Sequence, residues 1–307
     1  MRLRPAVLTL LLCLLAPVYA LAVLISTGDG SGNTTAPPDD PGFANVGVSA
    51  NNLSGVYLGN KWVLTAAHVG DVADFTFDGI LYETVPGTRQ ALSKNGTPAD
   101  LAMIRLAGPP PPLPDVVLAS APVAAGEVVT LIGNGWNRAP TLTCWNLSWS
   151  EVNCPGGVYA GYVRSGGRSL RWGMNRVTDV LYDLPGSGNR STISFEMLFD
   201  EAGEPDEAQV VPGDSGGAAF VKRAGTWELV GIHLAQGVYV NQPTDVVAFG
   251  NGSLDGDVYE YRNEIEALLG LPKKIPALPG PALLLVGAVL LAAARRRLLA
   301  VRVSSGR

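Results

Sequence analysis

Five residues constrain this chain more than any others: Gly213-Asp214-Ser215-Gly216-Gly217. A serine framed by glycines at this density reads as a tight turn that exposes one hydroxyl. Glycine tolerates positive φ and lets another chain approach closely. A hydroxyl alone is a poor nucleophile; it needs a base to take its proton and an acid to orient that base. The chain has only two histidines, His68 and His233. His68 closes the apolar run Trp62-Val63-Leu64-Thr65-Ala66-Ala67, and Asp100 heads a second, Leu101-Ala102-Met103-Ile104-Arg105-Leu106. The order along the chain is therefore base, acid, nucleophile.

The same glycines satisfy G-x-S-x-G, the strand-to-helix elbow of α/β-hydrolases, which needs its acid and then its histidine after the serine. Only His233 follows Ser215, eighteen residues on, with no aspartate between them. Too little chain remains for the other strands and helices of that fold, so it is excluded on order. Asp71, Asp74 and Asp78 lie nearer to His68 than Asp100 does, but none begins an apolar run. They read as solvated loop acids.

Taken together, Thr65-Ala66-Ala67-His68, Asp100-Leu101-Ala102 with Arg105-Leu106, and Gly213 to Gly217 resemble the trypsin/chymotrypsin family of serine peptidases. The resemblance runs from about Phe43 to Gly270. It implies an all-β fold of two antiparallel β-barrel lobes with a C-terminal helix and the active site in the crevice between them. It implies that His68 is the base, Asp100 its orienting acid and Ser215 the nucleophile, acting on a protein or peptide substrate through an acyl-enzyme. The oxyanion hole would be the backbone N–H groups of Gly213 and Ser215. No cofactor or metal is implied.

Gln209, six residues before Ser215, falls at the base of the primary substrate pocket, where trypsin-like enzymes carry an aspartate. Cleavage after Lys or Arg is therefore not expected. His233 falls where glutamyl endopeptidases of this family place a histidine that reads acidic side chains, so cleavage after Glu or Asp is the expectation. Val69 and Val211 stand where the family usually has cysteines. The family also pairs the aspartate matching Asp214 with a freed N-terminal ammonium. No Lys or Arg lies between Arg4 and Lys61, which excludes tryptic activation there. From a different class, a catalytically silent surface protein could keep the fold for binding alone.

Turn residues divide the chain into short apolar runs, as an all-β body requires. Arg2 and Arg4 ahead of an apolar run, with small residues near Ala20, read as a signal peptide over residues 1–20, cleaved after Ala20 or Ala22. Residues 21–42 read as a polar Gly/Pro linker in which Asp29, Asp39 and Asp40 are solvated rather than calcium ligands. The peptidase-like body covers 43–270, with lobes at about 43–107 and 119–257. Between them, Gly108-Pro109-Pro110-Pro111-Pro112-Leu113-Pro114 is an extended connector. Val258, Tyr261, Ile265, Leu268 and Leu269 recur at helical spacing and predict a closing helix over 257–270. Residues 134–176 exceed what a compact core needs, and Arg171-Trp172-Gly173-Met174-Asn175-Arg176 within them reads as surface-loop packing.

After a short linker (271–277), residues 278–294 are apolar enough to span a bilayer, and a basic tail (295–307) begins at Arg295-Arg296-Arg297. This end resembles C-terminal sorting signals of the PEP-CTERM/exosortase type, with Pro276-Ala277-Leu278-Pro279 where Pro-Glu-Pro usually stands. It implies a sorting enzyme acting on the tail and a place at a bacterial envelope. Cys13 lies in the signal segment, leaving Cys144 and Cys154 to form one disulfide in an oxidising compartment. No metal site is expected near them. Both ends lack acids and carry nine cations, so the body from 21 to 270 stands at −14 although the whole chain is −5. Such a surface would be repelled by phosphate backbones, which argues against nucleic acid as a partner.

Overall fold

The computed structural model describes residues 23–271. They form two β lobes and one closing helix, Val258–Leu269. The two lobes are built differently. In the first, seven antiparallel strands follow the order Ile80–Glu83, Asp74–Phe77, Val46–Ser49, Ser54–Gly59, Trp62–Ala66, Thr97–Arg105, Gln90–Lys94. Val46, Val56, Leu64, Phe75, Phe77, Leu101 and Met103 fill its interior. Asn60-Lys61 and Asp78-Gly79 turn two of its hairpins with positive φ at both positions, the turn geometry that suits the twist of paired strands.

Two antiparallel β-barrel lobes were the expectation, and the first lobe is a seven-stranded sheet whose closure is minimal. Its ends meet through one bridge, Thr84 to Leu106, flanked by Val85 N–H donating to Arg105 O and Ala107 N–H to Glu83 O, both at 2.8 Å. The reason is the strand Gln90–Lys94, which already occupies that edge of Thr97–Arg105 as far as Met103. The second lobe is a closed six-stranded barrel. Its order is Arg171–Pro185, Ser191–Leu198, Gly252–Asp257, Thr226–Gly237, Ala218–Arg223, Val128–Gly133.

One apolar cluster runs through both lobes and the helix, joining Leu101 and Met103 to Ile132, Phe220, Ile232, Tyr261 and Ile265. The Pro-rich connector stays extended. Val116–Leu118, which has strand character in the sequence, contributes only a bridge from Leu118 to Leu229.

Two segments are more ordered than their composition suggests. Residues 134–176 build a small sheet from Trp136–Arg138, Thr143–Trp145, Glu151–Val152 and Tyr159–Arg168, extended by Val246–Ala248. The Cys144–Cys154 disulfide holds it, and Trp149 stacks on Tyr159 at 4.3 Å. Arg171 to Arg176 is not surface-loop packing, because it opens a barrel strand and Arg171 is buried. Its guanidinium reaches Gly32 O at 2.6 Å and Asn137 Oδ1 at 3.2 Å.

The stretch expected to be a free polar linker instead begins on the body. Val23, Leu24 and Ile25 are buried, and Leu24–Ile25 pairs with Ala208–Gln209. Arg138 then donates to the carbonyls of Ile25, Ser26, Thr27 and Gly28 at 2.7–3.1 Å. The segment is held through its backbone, so its side chains carry no pattern that announces it. Asp29, Asp39 and Asp40 engage separate partners: Ser31, then Lys222 with Trp227, then the N–H groups of Gly42 and Phe43.

The closing helix starts where the sequence places it. Asp257 Oδ1 accepts the Tyr259 N–H at 2.9 Å, an N-cap, and Tyr261 Oη accepts the Ile193 N–H at 2.9 Å. Burial pushes the Asp257 pKa up to about 6, against the pull of the Tyr259 N–H. A carboxyl raised in the fold contributes stability that is full below its unfolded pKa and lost as pH rises through 6. Asp257→Asn, an equally good cap without the charge, is expected to gain about 1–2 kcal/mol at pH 8 in urea denaturation. That gain should vanish towards pH 4; a pH-independent difference would contradict the assignment.

Among the described residues no helix is long and apolar enough to cross a membrane. The signal segment and the span at 278–294 lie outside the described residues.

Candidate active site

Each catalytic candidate sits at the end of an element whose pattern the sequence dictates. The buried strand Trp62–Ala66 runs into the single turn Ala67–Val69, which lifts His68 out of the core. Arg89 Nη2 ties that turn down by donating to Ala67 O at 2.5 Å. Antiparallel to this strand lies Thr97–Arg105, with Ala66 opposite Leu101, so Asp100 comes level with His68. Two hydrogen bonds join them. His68 Nδ1 stands 2.6 Å from Asp100 Oδ2, and the His68 backbone N–H donates to Asp100 Oδ1 at 2.8 Å. Asp71, Asp74 and Asp78 make no such contact; Asp71 lies on the surface, 3.8 Å from Arg89.

Ser215 comes from the second lobe, on the turn that feeds the strand Ala218–Arg223, and is partly exposed. Its carbonyl accepts the Ser54 N–H at 2.8 Å. Ser54 O in turn accepts Thr65 Oγ1 at 2.7 Å, three residues from His68. The serine turn is thereby braced against the strand that delivers the imidazole. No hydrogen bond joins the Ser215 hydroxyl to His68 among the described residues.

The backbone of the turn is unevenly committed. The N–H groups of Asp214, Gly216 and Gly217 donate to Val211 O, His233 O and Asp214 O at 3.0, 2.9 and 2.7 Å. Those of Gly213 and Ser215 have no intramolecular acceptor among the described residues. Two alternate amides are thus left free on either side of Asp214.

Asp214 is fully buried, with Oδ2 accepting the Val211 N–H at 2.8 Å and Oδ1 unpartnered. Burial pushes its pKa up to about 6, against the opposing influence of His233, the Val211 and Gly135 amides and Arg171. Gly133 and Gly135 leave room for it: a Cβ on either would fall within 2.4 Å of its carboxylate.

Gln209 and His233, the expected pocket residues, are both fully buried, and His233 O accepts the Gly216 N–H. Gln209 Nε2 donates to Val210 O and Gly252 O at 3.0 and 2.9 Å, while its Oε1 has no partner. His233 Nδ1 faces both oxygens of Asp255 at 2.9 and 3.0 Å, and its Nε2 has no hydrogen-bond partner among the described residues. Burial alone would lower the pKa of His233; the Asp255 carboxylate, together with Asp214 and the Ile132 carbonyl, more than reverses this and leaves it raised. Among the described residues no cluster of His, Cys, Asp and Glu is arranged to hold a metal ion.

A model of the trypsin-like peptidase domain matches residues 53–232, more than half of the chain and all three motifs. The chain belongs to the trypsin-like peptidase family. No curated protein sequence matches it. Kallikrein-related peptidase 10 is similar in structure at 18% identity and a TM-score of 0.46, covering 75% of this chain and 97% of that one. The Rv3671c protease from M. tuberculosis, in its active form, gives 14% and 0.42, covering 75% and 81%. The NS6 protease from murine norovirus 1 gives 17% and 0.41, covering 75% and 97%.

Two supports of this trypsin-like peptidase left no trace in its sequence pattern. Thr192 Oγ1, buried in the second lobe, accepts the Asp100 N–H at 2.7 Å and so fixes the acid across the lobe boundary. Ser54 bonds the Ser215 turn through its N–H and the Asn134 N–H through its hydroxyl, at 3.1 Å. Val69 and Val211, which stand where the family usually has cysteines, are buried apolar residues.

Proposed function

We propose that the chain is a serine endopeptidase that hydrolyses peptide bonds through Ser215, His68 and Asp100. The observation that carries this is the pair of free amides at Gly213 and Ser215, on the same turn as the serine whose base would be the Asp100-bound imidazole. His68 Nε2 would take the Ser215 proton as the hydroxyl attacks the carbonyl carbon. The imidazolium, steadied by Asp100, would return the proton to the leaving amine, and water would then release the acyl group by the same route. The developing oxyanion would rest on the Gly213 and Ser215 amides; losing one such donor costs about 3–4 kcal/mol of transition-state stabilisation.

Cleavage after Glu or Asp is the primary specificity favoured, because His233 Nε2 is a buried donor or acceptor without a partner beside the serine turn. Proteolysis of an unstructured protein by the purified enzyme, with Ser215→Ala as control and product termini read by mass spectrometry, tests both statements. Turnover by the Ser215→Ala protein at the wild-type rate would remove the first. Termini dominated by basic or large apolar residues would remove the second.

The signal-like start and the apolar, arginine-terminated end favour an exported enzyme held at a bacterial envelope by residues 278–294. Trimming of that tail by a sorting enzyme is part of the same proposal. The intact mass of the mature protein, with and without residues 271–307, tests it.

A further inference from the structure

Next to the free amide of Gly213 sits a guanidinium that the triad does not use. Arg168 ends the strand Tyr159–Arg168, opposite Trp136 in the register. Its Cζ and Nη1 lie 3.0 Å from where a Cβ on Gly213 would be, so the group is seated directly on the turn that carries Ser215. Nη1 donates to Asn52 O, in the first-lobe hairpin turn just before Ser54, and the Trp136 ring lies 5.1 Å away. The arginine is partly exposed, and its Nε and Nη2 have no intramolecular acceptor among the described residues.

Among the described residues no carboxylate pairs with Arg168. Arg89, Arg176, Arg223 and Arg262 each have an acidic neighbour within 4.0 Å, whereas Arg168 has none. The undescribed ends of the chain contain no Asp or Glu that could serve. Its nearby cation, Arg164, donates to Thr244 O. In a body carrying −14, an uncompensated guanidinium braced in place beside a reactive serine is an unspent anion site. Gln209 and His233 are fully buried, whereas Arg168 is partly exposed and bonds the first-lobe hairpin at Asn52.

We propose that Arg168 is a specificity-determining residue that receives a substrate carboxylate on the leaving-group side of the scissile bond. The carboxylate is either an acidic side chain one or two residues beyond that bond or the free C-terminus of a short leaving peptide. Two N–H donors of a planar guanidinium suit either source. The proposal rests on Ser215 being the nucleophile.

The test uses fluorogenic peptides identical but for Glu or Gln at the first or second position after the cleaved bond. A second pair ends two residues after the bond in a free acid or an amide. Wild-type enzyme should favour the carboxylate member of at least one pair by about tenfold in kcat/KM, mainly through KM and less so at high salt. In Arg168→Gln that ratio should fall to about one, in Arg168→Glu it should invert, and Arg168→Lys should keep part of it. Whichever pair shows the effect identifies the source of the carboxylate. Equal ratios in wild type, or an unchanged ratio in Arg168→Gln, overturn the proposal. Labelling the same samples with a fluorophosphonate separates the two failures. A protein that labels at Ser215 without discriminating loses only Arg168, and one that does not label loses the nucleophile and this proposal together.

Discussion

Asp100→Asn is expected to lower kcat about 10⁴-fold while leaving the fold intact. Asp100 makes two bonds to one residue, accepting the His68 backbone N–H at Oδ1 and facing Nδ1 at Oδ2, 2.6 Å away. An amide can still accept the backbone N–H, so the turn Ala67–Val69 should hold. Its NH₂ would then face Nδ1 and force the proton onto Nε2, the nitrogen that must be bare to accept one from Ser215. A 10⁴-fold loss corresponds to about 5–6 kcal/mol of transition-state stabilisation, far more than an exposed ion pair contributes to folding. Steady-state kinetics beside thermal unfolding check it. A parallel loss of melting temperature and rate would make Asp100 a structural residue instead.

Gly216→Ala is expected to destabilise the protein by about 3–4 kcal/mol. A Cβ there would lie 2.1 Å from Ser54 O and 2.2 Å from Thr65 Oγ1, and φ is +85°. Neither neighbour can yield easily. Ser54 O accepts the Thr65 hydroxyl, and Ser54 N–H holds Ser215 O, so relief of the clash must part the serine turn from the histidine strand. Gly225→Ala provides the comparison. Its φ is +84°, with nothing within 4 Å of its Cβ position, so it bears only the backbone strain of about 1 kcal/mol. Equal destabilisation of the two variants in urea would mean that the serine turn is not packed against the first lobe.

Much of the fold was legible because it depends on local pattern. The strand before His68, the strand beginning near Asp100 and the helix through Tyr261 and Ile265 all follow from residue order. What was not legible depends on partners remote in the chain. Arg138 and Arg171 bind backbone carbonyls of the Val23–Gly32 stretch, and a carbonyl has no sequence signature. Thr192 supports Asp100 from 92 residues away, and Arg168 meets Gly213 only because a small sheet folds across from residues 134–168. The closure of the first lobe by one bridge depended on how far Gln90–Lys94 runs along its neighbour, an edge effect that apolar periodicity does not encode. For the site, the motifs singled out His68 and Asp100, and these two side chains stand in contact. The burial of Asp214, the one acid inside the glycine turn, was not legible from those motifs.

The central claim is that one serine hydroxyl in this chain is made nucleophilic by a histidine brought from the other lobe. Intact-protein and peptide mass spectrometry after fluorophosphonate treatment measures this most directly. A single adduct on Ser215, lost in His68→Ala as well as in Ser215→Ala, is the predicted result. An adduct that survives His68→Ala at the same rate, or one carried by another serine, would contradict it.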